Sequence, residues 1–292
     1  MTEARTILVT GATGNVGRSL VTGLAERGVR VRALVRDPAA AALPDGVTAV
    51  CGDLTDPATV AEAAHGVDAA FLLWPLITDK GAPAVLDAIG SHTRRLVYLS
   101  SSGVRDDLER QQDPINQFHA DLERHIRERG FDATFLRAGG FAANTLGWAE
   151  SVREQGRVRE PFGRAHRALI HERDIAEVAV RALTGDGHTG ATYVLTGPES
   201  QTTAERVRVL GETLGTEVRF EEVPRDRARA EMLAQGWPEH VADGMLAAYR
   251  DMEAAPDPVT GTVAEITGQP ARTFARWVTD HAADFRAPST VD

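Results

Sequence analysis

Cysteine is almost absent from this chain: Cys51 stands alone, which excludes an intramolecular disulfide and any cysteine-rich zinc site. Its setting, AVCGDL at the end of an apolar run, predicts a packed thiol. Lysine is as scarce. Of 32 basic residues only Lys80 is a lysine, so any chemistry that needs an ammonium group has one candidate. Tyrosine occurs three times, at 98, 193 and 249. Positive charge is in deficit, with a net charge of −10, and this argues against general affinity for nucleic acid or anionic membrane. No basic recognition helix is evident. No apolar run reaches the length of a membrane span, and no basic-then-apolar leader precedes the first strand pattern, so the expected location is cytoplasmic. Histidines are not spaced as a metal pair with a carboxylate between them, and the expected metal content is none. Neither an internal repeat nor a low-complexity tract is found, and the oligomeric state is not legible.

What the chain does have is TILVTGATGNVGRSLVTGLAERG at residues 6–28. A short apolar run enters Gly11-Ala12-Thr13-Gly14-Asn15-Val16-Gly17, and a helical pattern follows. A strand feeding a glycine-rich turn into a helix N-terminus makes an anion site. The glycines let the backbone approach a pyrophosphate, and the helix offers free N–H groups and the positive end of its dipole.

Strand and helix signals then alternate. Strands are predicted at 6–10, 29–35, 48–51, 69–73, 95–100 and 133–137. Helices are predicted at 16–27, 57–64, 82–91 and 115–129, the second starting at Pro57 behind Thr55 or Asp56 as cap. Short apolar strands separated by helices imply a parallel sheet covered on both faces, hence a Rossmann, doubly wound α/β fold. The second half changes character. A strand at 167–170 leads to a helix at 172–183, a strand at 192–196, a helix at 203–214 and a strand at 217–223. Residues 225–254 read as helix broken at Gly236-Trp237-Pro238, and 270–285 as one last helix whose apolar stripe is core. The tail, 286–292, reads as frayed. The expected organisation is a dinucleotide domain over 1–150 and a smaller, mostly helical substrate lobe over 151–292, with about 167–196 returning to the sheet.

Individual side chains refine the site. At the end of the second strand, where an adenosine ribose would lie, an acidic residue selects NAD. Arg36 stands there instead and offers a charged fork to a 2′-phosphate, which favours NADP(H). Asp53 has two readings, acceptor for an adenine amino group or cap of the turn before Pro57; Leu54 would lie against the ring. Trp74, between Leu73 and Pro75, reads either as a wall for nicotinamide or substrate or as a rim tryptophan. Ser100 and Ser101 close the fifth strand, where a hydroxyl could meet the nicotinamide or the substrate, or merely satisfy the strand end. Asn144 and Trp237 are candidate substrate contacts. His171, before Asp174, reads as part of a helix cap.

These motifs resemble the NmrA-like branch of the atypical short-chain dehydrogenases/reductases. The resemblance rests on GATGNVG at 11–17, Arg36-Asp37, Gly52-Asp53-Leu54, His119 to Glu123, Gly130 to Arg137, Phe141 to Asn144 and Thr267 to Phe274. Within the branch the pattern is similar to the bacterial NADPH-dependent quinone oxidoreductases of the type-two kind, which also carry a histidine four residues before a helix glutamate. The resemblance implies NADP(H) contacts at Gly11, Ala12, Thr13, Gly14, Asn15 and Val16, at Arg36, at Leu73, Trp74 and Pro75, and around Ala138, Gly139, Gly140 and Phe141.

Typical members of the wider superfamily use a tyrosine as proton donor with a lysine four residues on. Aligned on Glu123 and Gly130, those positions are Ile115 and His119, so the dyad is absent. Hydride transfer needs mainly cofactor positioning and survives this loss. Strong carbonyl activation does not, and an activated acceptor is expected: a quinone, an enone or a polycyclic aromatic metabolite. His119 is the candidate catalytic residue, as proton donor or ribose contact, from an ordinary imidazole pKa near 6.5. Two alternatives stand beside the reductase: a non-catalytic NADP(H) sensor, and a tailoring enzyme that dehydrates or couples an aromatic polyketide.

Overall fold

The computed structural model describes residues 5–286. It divides into two compact units. The first holds the chain up to Ala138 together with Glu172–Leu195 and Thr262–Gln269; the second holds Gly139–His171, Thr196–Gly261 and the chain from Pro270 on.

The first unit is built on strands β1 (Thr6–Val9), β2 (Arg30–Val35), β3 (Val47–Cys51), β4 (Ala69–Leu72), β5 (Arg95–Ser101) and β6 (Asp132–Ala138). With Thr192–Leu195 they form one sheet in the order β3-β2-β1-β4-β5-β6-(192–195), and every pairing is parallel. Ile7 is registered with Val31 on one side and Ala69 on the other, so the sheet order reverses at β1. Ligands of doubly wound sheets bind outside the strand ends at such a reversal. Continuous apolar strands are what burial on both faces demands, and Ile7, Leu8 and Val9 are fully buried.

Helices α1 (Asn15–Ala25), α2 (Pro57–Ala64), α3 (Ala82–Gly90) and α4 (Pro114–Glu128) fall within two residues of the predicted bounds. α2 starts where Asp56, not Thr55, caps it by accepting from the Ala58 N–H at 3.0 Å. One face of the sheet carries α2, α3 and α4 over Leu8, Leu72, Leu96 and Tyr98; on the other, α1 packs beside the helix Glu172–Thr184. α1 buries Val16, Leu20, Val21 and Leu24 at helical spacing.

The second unit was harder to read. A 3-10 turn (Ala142–Trp148), a helix (Ala149–Gln155) and a strand (Arg157–Glu160) occupy a stretch with no predicted element. That strand pairs in parallel with Arg219–Glu222. The predicted strand at 167–170 shrinks to His166–Arg167, antiparallel to Gln201–Thr202, because Ile170 makes only a single bridge, to Phe141. The helix Thr203–Leu214 has its predicted limits and starts with a capping box between Thr202 and Glu205. The break at Gly236 is present, between the helices Arg225–Ala234 and Glu239–Ala254. The single helix predicted at 270–285 is corrected. Thr273 caps a shorter helix, Phe274–Asp280, by accepting from the Arg276 N–H, and a 3-10 turn, Ala282–Phe285, follows. Trp277, fully buried, centres this unit's core with Phe274 and Leu210. Most of the tail predicted to fray, from residue 287, lies outside the described residues. Among the described residues no helix is long and apolar enough to cross a membrane.

Candidate functional site

The glycine turn after β1 is shaped by one close approach. A Cβ on Gly17 would lie 2.0 Å from the Gly11 carbonyl oxygen, and Gly11 itself has φ +67°. The turn closes with Gly14 N–H donating to Gly11 O at 3.0 Å. Gly14 then caps α1 without a side chain, and the first turn of α1 holds no acidic residue. The first N–H groups of α1 are thus free of protein acceptors and compatible with a phosphate. Thr10 ties the turn to the neighbouring strand: its hydroxyl accepts from the Leu73 N–H at 2.9 Å and reaches the Phe71 and Leu73 carbonyls.

A cleft of about 1160 Å³, counting its open mouth, runs from this turn past the ends of β2, β3 and β4. It brings together Gly11, Thr13, Gly14, Arg36, Asp53, Leu54, Leu73 and Pro75 of the predicted contacts. Arg36 is exposed at the rim and forms no side-chain hydrogen bond or ion pair among the described residues. Asp53 lines the cleft and also closes the turn behind β3. Its carboxylate accepts from the Thr55 hydroxyl at 2.7 Å and the Thr55 N–H at 2.8 Å, and these bonds hold its pKa below the usual carboxylate value. Sequence reasoning missed Thr10, Leu34, Val35, Gly52, Thr55 and Leu76. Their signal was positional, since each flanks a strand end already assigned to the site.

Several predicted residues are elsewhere. Ala12 and Val16 are buried beneath the turn, and Asn15 is exposed at the start of α1 outside the cleft wall. Trp74 is not a wall. Its ring is buried in the core beneath the sheet edge, and its Nε1–H donates to the Thr78 carbonyl at 2.7 Å. Ser100 is not available to a nicotinamide, because its hydroxyl donates to the fully buried Glu123 at 2.6 Å. Glu123 also takes Arg137 at 2.9 and 2.8 Å and Arg127 at 2.7 Å. Burial pushes its pKa up, but these bonds and charges outweigh burial and hold it below the usual value. Ser101 donates to Asn116 at 2.7 Å. Cys51 is exposed rather than packed, because the end of β3 lies at the sheet edge; its sulfur is 3.6 Å from the Arg36 carbonyl. His171 is buried and meets Asp280 at 3.4 Å.

His119 departs most from expectation. It is largely enclosed on α4, its ring 4.2 Å from that of Phe118, and Nδ1 lies 2.7 Å from the Tyr98 hydroxyl. Burial lowers its pKa from 6.5 to about 4, against the opposing pull of Glu123 and Asp113. It is therefore a neutral imidazole at neutral pH, not the half-protonated donor expected. Tyr98 is fully buried, its pKa pushed well up by burial and by the Glu123 charge. With a neutral ring two arrangements fit this contact: the hydroxyl donates to Nδ1 and the ring proton is on Nε2, or Nδ1–H donates to the hydroxyl oxygen.

The second unit holds a separate cavity of about 510 Å³, counting its mouth. Phe141 and Asn144 line it; Ala138, Gly139 and Trp237 line neither cavity, and Trp237 is exposed on the turn between two helices. Among the described residues no group of three or more His, Cys, Asp or Glu is placed to hold a metal ion.

Residues 11–186 match the model of a family described as NAD(P)H-binding. The chain belongs to that family. This NAD(P)H-binding chain is 41% identical, over 96% of its length and 99% of the relative, to a (4-alkanoyl-5-oxo-2,5-dihydrofuran-3-yl)methyl phosphate reductase of Streptomyces griseus. It is 36% identical to an NAD(P)H azoreductase of Xenophilus azovorans, over 96% and 99%. Among solved structures, an NADPH-dependent quinone oxidoreductase from Escherichia coli superposes with a TM-score of 0.77 at 24% identity, covering 94% of this chain and 99% of that one. The fold is that of the NmrA-like, atypical short-chain dehydrogenases/reductases. The chain is an NAD(P)H-dependent oxidoreductase.

Proposed function

We propose that this oxidoreductase uses NADPH to reduce an electron-poor conjugated acceptor, an α,β-unsaturated lactone of the 5-oxo-2,5-dihydrofuran type carrying a second carbonyl on the ring. The observation that carries this reading is the state of His119. At the position of the missing lysine stands a neutral imidazole, engaged by a buried tyrosine. Neither group supplies the positive charge or the acidified hydroxyl that activates a plain ketone. The acceptor must bring its own activation, and a ring double bond conjugated to two carbonyls does so. The Streptomyces relative is named for such a ring. Quinones, enones and azo bonds share the same electron deficiency and belong to the same class of acceptor.

When bound, NADPH supplies the hydride that adds to the ring double bond, and a proton from solvent completes the reduction. The residues that would hold it are the turn Gly11–Gly14 and the N–H groups opening α1 for the pyrophosphate, and Arg36 for the 2′-phosphate. Leu34, Leu54 and Leu73 offer apolar walls. His119 has the role of a neutral positioning group for ribose or substrate and not of an acid. The test is NADPH oxidation with an alkanoyl butenolide, a quinone, an azo dye and a plain cyclic ketone. Oxidation by the first group but not the ketone is expected. Turnover of the ketone alone, or of none of them, overturns the reading.

A further inference from the structure

The cavity of the second unit contains two arginines where a small apolar pocket would need none. Arg206, on the helix Thr203–Leu214, is only 4% exposed. Its Nη1 donates to the Gln201 carbonyl at 2.7 Å and its Nη2 to the Thr203 hydroxyl at 3.0 Å, while its buried Nε–H has no partner. Arg167, on the strand His166–Arg167, also has a buried Nε–H without a hydrogen bond. The Asp257 carboxylate lies 3.5 Å from that nitrogen, close enough for an ion pair but not aligned as an acceptor. Arg167 otherwise stacks over Tyr249, 5.6 Å from the ring centre, with a long 3.5 Å contact to its hydroxyl. A buried donor without an acceptor is costly and rare in a finished fold, and two in one cavity point to an acceptor that arrives from outside.

The backbone makes room for this pair. A Cβ on Gly140 would come 2.5 Å from the Arg167 guanidinium, so only glycine at that position lets the side chain sit where it does. Arg206 and Arg167 repel, and burial together with that repulsion lowers the Arg206 pKa to about 10, so it stays charged at neutral pH. The carboxylates that face the pair are Glu160 and Asp257. Glu160 accepts from the Trp148 indole N–H at 2.7 Å, and burial raises its pKa toward the neutral acid.

We propose that this cavity of the second unit is an anion-recognition site. Arg206 and Arg167 receive a phosphate monoester or carboxylate, and Phe141, Leu169 and Tyr249 pack its apolar part. The identity of the ring attached to that anion rests on the reductase reading above; the anion site itself does not. Both guanidinium groups line the cavity, and a guanidinium N–H donor suits an anionic group with several acceptor oxygens.

The experiment compares three butenolides that differ only at the ring methylene: phosphate ester, carboxylate and free alcohol. Binding to the full-length protein is measured by calorimetry, alongside NADPH oxidation. A charge-assisted contact is worth enough that one of the two anions should bind about tenfold to a hundredfold more tightly than the alcohol. Which anion does so identifies the source. Arg206→Met should abolish that preference while leaving the alcohol's affinity and that of NADPH unchanged, and Arg206→Lys should restore part of it. Arg167→Gln, at a less buried residue, provides a second variant should Arg206→Met fail to fold, and should reduce the preference about tenfold. Equal binding of all three ligands by the unmodified protein overturns the proposal, as does a loss in Arg167→Gln that is equal for anion and alcohol. Should the anion bind with arginine dependence while none of the three is reduced, the lactone reading fails and the anion site stands.

Discussion

The hydroxyl of Tyr98 and Nδ1 of His119 lie 2.7 Å apart, a bond that ties β5 to α4. A buried phenol is bonded to an imidazole whose pKa burial holds at about 4, where the wider superfamily has an acid supported by a cation.

A pH consequence follows for stability. The imidazole's pKa is about 4 in the folded chain against 6.5 as its ordinary value. Below 6.5 the unfolded chain takes up the proton first. The stability is therefore fully present above that pH and lost as pH falls toward 4, by at most about 3 kcal/mol. Denaturant titrations across this window should show the slope in the unmodified protein and a shallower one in His119→Gln. An unchanged slope would mean that His119 is not the group responsible.

The same pKa bears on turnover. The rate of NADPH oxidation should show no limb from a histidine between pH 6 and 8, in contrast to an enzyme with an imidazolium donor. A limb near 6.5 that vanishes in His119→Gln would contradict the neutral assignment.

At the cofactor rim, Arg36→Ala should weaken NADPH binding by about tenfold to a hundredfold and leave NADH binding nearly unchanged, as expected for loss of a charge-assisted contact to one phosphate. Competition titrations of the two nucleotides read this directly. Equal weakening of both would assign Arg36 to the shared part of the dinucleotide.

In the glycine turn, Gly17→Ala places a methyl group 2.0 Å from the Gly11 carbonyl oxygen. The turn must open, at a cost of about 1–3 kcal/mol in stability. Dinucleotide affinity should fall with it, as calorimetry and thermal melting together would show. A variant of normal stability and affinity would mean that the turn has slack.

Glu123 joins three chain segments, with Ser100, Arg127 and Arg137 on its two oxygens. Glu123→Gln should cost about 1.5–3 kcal/mol, because it weakens the charge-assisted bonds to the buried Arg137, which keeps its bidentate pair with Asp106 at 2.8 and 2.6 Å. Ser100→Ala should cost about 1 kcal/mol and leave nucleotide binding intact. Loss of nucleotide affinity in Ser100→Ala would return this serine to the cofactor site.

The first unit was legible because its elements announce themselves locally. β1 is a continuous apolar run, Pro57 opens α2, and the glycines mark the turn. Side-chain direction was not legible. Trp74 and Ser100 stand at strand ends where the address suggests a cofactor, yet whether such a side chain faces the cleft or the core is set by packing from distant segments. Cys51 shows the same limit, since an apolar run at a sheet edge leaves its last thiol outside. In the second unit, Arg157–Glu160 is a charged strand with no alternation to betray it. Arg167 and Arg206 are 39 positions apart on unrelated elements, and only the fold brings them to one cavity.

The exposed thiol at the end of β3 has a practical use. Because this sequence has no other cysteine, a thiol-reactive fluorophore would attach at one site only, with no residue to be removed first. The sulfur lies 3.6 Å from the Arg36 carbonyl, so a dye there stands next to the rim of the cleft without a single codon being altered, and NADPH added to the labelled protein should change its emission.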